Sequence, residues 1–122
     1  MKNDLNSLVH GRGELHASSD DTNFLLTSAN GRSPITVTLD GDIARIRAGF
    51  GIRVNVGSDV PSDDQTITEV VEAILDGAAE EFFDLNSRGE MDAVAWRLWY
   101  PRGERTGGTH TADAISVRLL PW

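Results

Sequence analysis

A chain of 122 residues, 39% apolar and 25% charged, is sized for one domain (residues 1–122) around a single core. The absence of cysteine excludes disulfides, thiolate metal sites and cysteine nucleophiles. A net charge of −8 works against nucleic acid and anionic membranes as partners, because both are held by Lys and Arg.

Taken in order, Met1–Arg12 predicts a short helix with Asp4 as cap, Leu5, Leu8 and Val9 turned inward and Gly11 as stop. The polar opening does not resemble a signal peptide, and no apolar run reaches the 18 or so residues of a membrane span. The expectation is a cytoplasmic protein. Two short strands, Glu14–Ser18 and Asn23–Ser28, flank a polar turn at Ser19-Asp20-Asp21. Asn30-Gly31 marks another turn, after which Pro34 opens a strand in which Ile35, Val37 and Leu39 alternate with threonines. Asp40-Gly41 is a strong hairpin cue. Beyond it, Ala44, Ile46, Ala48, Phe50, Ile52, Val54 and Val56 keep one parity, with Arg45, Arg47 and Arg53 on the other side. That unbroken alternation predicts one long strand bent at Gly49 and Gly51.

The segment from Pro61 to Gly89 reads as a long amphipathic helix. Ile67, Val70, Val71, Ile74, Leu75, Ala78, Ala79, Phe82 and Phe83 recur at three- and four-residue spacing. Ser62 with Gln65, or Thr66 with Glu69, fits a capping box, and Asn86–Gly89 an ending. Gly77 reads as a flat spot in mid-helix where the sheet comes close. Met91–Tyr100 follows as a strand apolar on both faces, Pro101–Asp113 as a polar loop, and Ile115, Val117 and Leu119 as a last strand. The predicted fold is α+β: a mostly antiparallel sheet of five to seven strands, one long helix packed on one face, order roughly β-β-β-β-α-β-β after a short N-terminal helix.

Charge is concentrated. Asp59 to Asp84 holds nine acidic residues and no Lys or Arg, leaving ten acids against eleven bases elsewhere. The helix should therefore display Glu69, Glu72, Asp76, Glu80 and Asp84 as an acidic stripe, a surface that attracts a basic protein. Trp96 and Trp99 have opposite parity, so one enters the core while Trp99 emerges as a partner-binding residue beside the arginine row. Arg45, Arg47 and Arg53 could hold a carboxylate or phosphate. Glu81, at the rim of the buried stripe, must be paired or carry a raised pKa, and with the arginine row and His110 it outlines an alternative ligand cleft.

No catalytic set emerges. His10, His16 and His110 are scattered without metal-ligand spacing, and Ser18, Ser19, His16 and Asp20 lack a nucleophile elbow. Neither a Walker loop nor a G-x-G-x-x-G is present. No metal and no cofactor is expected. The leading expectation is a non-catalytic acidic protein-binding module, like a small bacterial inhibitor or antidote of the immunity type, or a chaperone-like protein, masking a basic partner. The alternatives are a small-ligand binder or hydrolase using the Glu81 cleft, and a structural subunit such as a phage component or homodimer; either a monomer or a homodimer fits.

Overall fold

The computed structural model describes residues 1–57 and 61–122, and side chains within 1–57 and 63–122. The elements in chain order are α1 (Lys2–Val9), β1 (Gly13–Ala17), β2 (Asn23–Ser28), β3 (Ile35–Asp40), β4 (Ile43–Ala48), β5 (Ile52–Gly57), α2 (Pro61–Leu75), β6 (Ala79–Leu85), β7 (Met91–Tyr100), β8 (Gly103–Gly108) and β9 (Ile115–Arg118). The fold is α+β, with two antiparallel sheets: a five-stranded meander β1-β2-β3-β4-β5 and a four-stranded sheet β8-β7-β6-β9.

The first sheet follows from alternation. Its registers place Phe24, Leu26, Ile35, Val37, Ala44, Ile46, Ala48, Ile52, Val54 and Val56 on one buried face. Helix α2 lies on this face with Ile67, Val70, Val71, Ile74 and Leu75 buried, and α1 adds Leu5 and Val9. Burying each such side chain contributes about 1.5–3 kcal/mol, well above any helix-propensity difference, so packing fixes where the helix sits. From the second sheet Ala79 and Leu98 reach the same core, with Trp96, Tyr100, Leu119 and Trp122 packed against its margin.

Several expectations change. The helix stops at Leu75 rather than running on to Gly89. Gly77 adopts φ +72°; its amide donates to the Ile74 carbonyl (3.1 Å) and the Ala78 amide to that of Ala73 (2.8 Å). This pair of bonds is a Schellman ending with glycine in the left-handed position. Residues 79–85 then form β6. The doublets Ala78-Ala79, Glu80-Glu81 and Phe82-Phe83 imitate helical spacing, yet read equally well at period two. Phe82 accordingly leaves the helix face and stacks on His110 (4.0 Å between centroids, 7° between planes).

Ala44 to Val56 is a hairpin, not one bent strand. Ala48 pairs with Ile52 around the three-residue turn Gly49-Phe50-Gly51. An odd-numbered loop returns the chain in the same parity, so the alternation survives the turn. The Pro101–Asp113 loop contains β8, whose glycines permit close approach. A Cβ at Gly107 would strike the Trp96 ring, and one at Gly108 the Val94 carbonyl. Strand β9, the expected last strand, pairs antiparallel with β6. The Ser62–Gln65 capping box involves a side chain outside those described, and Thr66 lies inside α2.

Gly77 and Gly31 both have positive φ (+72° and +78°), but only at Gly77 would a Cβ meet neighbours: the Leu119 carbonyl and Pro121, each at 3.0 Å. Gly31→Ala should cost about 1 kcal/mol of unfolding free energy in urea from backbone strain alone. Gly77→Ala should cost about 1–2 kcal/mol more, the difference measuring how tightly the C-terminal segment is held on α2.

Candidate functional site

The acidic residues expected to form one stripe are divided by the end of α2. Glu69, Glu72 and Asp76 share the exposed side of the helix. Glu80 sits on the outer side of β6, where Arg97 and the Ser116 hydroxyl reach it at 3.4 and 2.9 Å. Asp84, farther along β6, accepts from the Thr111 amide and hydroxyl at 2.9 and 2.6 Å. These two hydrogen bonds, the hydroxyl first, hold its carboxyl below the usual value of 3.8.

The helix acids are also less bare than the local sequence suggests. Arg12, from the turn after α1, bonds Asp76 at 2.7 Å. Arg102, from the turn after β7, grips Glu69 at 2.7 and 2.9 Å and the Thr66 hydroxyl at 3.1 Å. Between these two clips stands Glu72, exposed, its carboxylate with neither an ion pair nor a hydrogen bond among the described residues.

Glu72 opens onto a groove of about 400 Å³ between α2 and the end of β7, lined by Glu69, Glu72, Asp76, Trp99, Tyr100 and Pro101 together with Ala73 and Ala78. Its described lining holds three carboxylates and no base. Trp99 is half-buried and stands between the Arg97 and Arg118 guanidiniums, 5.4 and 5.2 Å from its ring centroid. Trp96, as its parity requires, turns toward the core. Trp99 is therefore beside the helix acids, not beside the Arg45, Arg47 and Arg53 row, which occupies the outer face of the first sheet.

Glu81 is the largest departure from expectation. It is 3% exposed, faces the interior from β6, and pairs with no arginine. Its carboxylate accepts the Phe50 amide (3.0 and 3.1 Å) and the Gly51 amide (2.7 Å) at the tip of the β4–β5 hairpin. Gly49 (φ +57°) lies so close that a Cβ there would collide with the carboxylate. Consecutive backbone N–H groups make a small anion nest, and here the anion is the protein's own. Glu81, Phe50, Phe83, Val117, Leu120 and Trp122 are among the residues that line a cavity of about 380 Å³.

The cleft imagined from Glu81, the arginine row and His110 is not assembled. His110 lies on Phe82, on the opposite side of β6 from Glu81, and the arginines point away from the core. Arg45 bonds Asp40 at 2.7 Å. Arg47 and Arg53 face one another directly across β4 and β5. His16 lies near Glu14 and Thr27, and Asp20 caps the turn at Ser18 and Thr22, remote in function from His110. Sequence reasoning missed Tyr100, Pro101, Arg12 and Arg102 because they reach α2 from distant turns. For Glu81 a signal existed: Gly77 just past the last periodic residue is a helix stop.

Comparison with protein-family models, curated proteins and solved structures finds no match to this chain. Among the described residues no helix is long and apolar enough to cross a membrane.

Glu81→Ala would leave two amides without their acceptor and should cost about 2–4 kcal/mol in urea unfolding. Glu81→Gln should cost less than the alanine change, because an oxygen in the Oε2 position accepts both amides (3.1 and 2.7 Å) and the NH₂ opposes only that of Phe50. Glu90→Ala, exposed and remote, should change stability by less than about 0.5 kcal/mol. A pH effect follows from Asp84. Its pKa is lowered on folding, so its hydrogen bonds stabilise the 109–111 segment above the unfolded value and are lost as pH falls through the folded one. The Thr111 amide resonance should titrate with a midpoint below 3.8, and Asp84→Asn should abolish that titration.

Proposed function

We propose that the protein is a non-catalytic acidic binding module that docks a basic protein partner in the groove between α2 and β7. The observation that carries this reading is Glu72: a carboxylate without a partner among the described residues, centred between two neutralised acids and walled by Trp99, Tyr100 and Pro101. Such a groove suits a Lys or Arg side chain. The cation meets Glu72, while its methylene stem lies on Ala73, Tyr100 and Pro101. Arg12 and Arg102 hold the neighbouring acids in place, so the groove is shaped before the partner arrives, which lowers the ordering cost of binding.

The excess negative charge around α2 would hasten the approach of a basic surface, while Trp99 and Tyr100 supply the desolvated contact from which affinity comes. A small inhibitor or antidote of the immunity type, or a chaperone-like protein, works in this way: it masks a basic site and needs no chemistry of its own.

Affinity capture from the source cells at low and at moderate salt tests the reading. Wild-type protein should retain a basic protein in stoichiometric amount and release it as salt rises. Glu72→Lys and Trp99→Ala should lose it while unfolding normally in urea. Retention of the same protein by Glu72→Lys, or capture of no basic protein, would overturn the proposal.

A further inference from the structure

On the opposite side of the molecule, the outer face of the first sheet carries a row across three strands: Thr36 pairs with Arg47, and Arg47 with Arg53. Two like charges directly opposed in adjacent strands oppose pairing. Two other sheet arginines have acidic partners: Arg45 has Asp40, and Arg97 has Glu80 and Glu104. Among the described residues neither the Arg47 nor the Arg53 guanidinium has an ion pair or hydrogen bond, and both side chains are exposed. They border a depression of about 330 Å³ with Pro34, Thr36 and the Gly49-Phe50-Gly51 turn. At its edge stands Phe50, 83% exposed. An aromatic side chain so open is unusual beside a buried, hydrogen-bonded carboxylate that fixes its backbone.

We infer that this depression is a site for a small phosphate ester, the phosphate held between Arg47 and Arg53 and the apolar part of the ligand lying on Phe50. A carboxylate has two oxygens and is filled by one guanidinium fork. A tetrahedral oxyanion presents oxygens to both forks at once, and a further one to the Thr36 hydroxyl. Binding would convert the repulsion between the two arginines into shared attraction. The turn cannot supply its own amides for this purpose, because Phe50 and Gly51 already donate to Glu81. Glu81 fixes the Phe50 backbone, and the Phe50 ring meets Phe83 edge-on (5.9 Å between centroids), so the ring and the arginine pair keep one spacing. This site is separate from the acidic groove, and its test does not depend on the protein partner.

The probes are inorganic phosphate and phenyl phosphate, titrated into the intact protein at constant ionic strength set with chloride. Isothermal titration and thermal unfolding are both followed. Both probes should bind and raise the unfolding temperature, phenyl phosphate the more tightly. Arg47→Gln and Arg53→Gln should each weaken both probes by about ten-fold, and the double variant should no longer respond. The double variant, relieved of the opposed charges, should be at least as stable as wild type without ligand. Phe50→Ala should remove the preference for phenyl phosphate and leave inorganic phosphate binding unchanged. Absence of binding by either probe, or binding undiminished in the double variant, would overturn the site. Equal affinity of the two probes in wild type would overturn the role of Phe50.

Discussion

One buried carboxylate ties the two sheets together. Glu81 lies at the middle of β6, and its acceptors are used by amides of a hairpin tip thirty residues earlier in the chain. Removing a charge from water is costly unless its hydrogen bonds are replaced, and here three contacts between 2.7 and 3.1 Å replace them. The arrangement has a strict geometric demand. Gly49 must lack a Cβ and must take a left-handed conformation, otherwise the carboxylate could not approach the turn. Glycine and glutamate are therefore parts of one feature.

The remainder of the architecture agrees with that joint. Helix α2 covers the first sheet and ends at Gly77, where the C-terminal segment closes over it: the Trp122 amide donates to the Leu75 carbonyl (2.9 Å) and the Leu119 amide to Ala79 (2.9 Å). The first of these bonds satisfies a carbonyl that the helix end leaves open. Ending the helix there releases Ala79–Leu85 to pair with β7 and β9, which brings Trp99 alongside the helix acids. A helix continuing to Gly89 would have placed Glu80 and Asp84 in line with Glu72 and left Trp99 without its acidic neighbours. The groove exists because the helix is short.

How much of this could be read from the chain differs by element. The inward face of the first sheet was legible, since Ile35 to Leu39 and Ala44 to Val56 alternate cleanly, but the turn at Gly49-Phe50-Gly51 was not, because a three-residue loop preserves the parity and imitates one continuous strand. The inward face of α2 up to Leu75 was legible for the same reason at period 3.6. Residues 78–85 were not, because paired identical residues satisfy both periods and only Gly77 breaks the tie. Strand β8 carries Gly-Glu-Arg-Thr-Gly-Gly, with no pattern at all; it is a strand because β7 offers it a ladder and the glycines let Trp96 lie close. The acidic excess near α2 was visible in composition, but the pairing of Asp76 with Arg12 and of Glu69 with Arg102 was not. These contacts span 64 and 33 residues, and local charge counting is blind to them. The solitary state of Glu72 is a property of the tertiary structure.

The most direct test of the joint between the sheets is amide hydrogen exchange at Phe50 and Gly51. Both belong to a hairpin tip where Phe50 is 83% exposed, so a turn free of tertiary contacts would exchange rapidly. If Glu81 holds them, both amides exchange only with global unfolding, at the same free energy as the core amides of Ile46 and Val54. Exchange at the rate of the exposed turn residue Asp42 would contradict the account, because the two sheets would then meet without being tied.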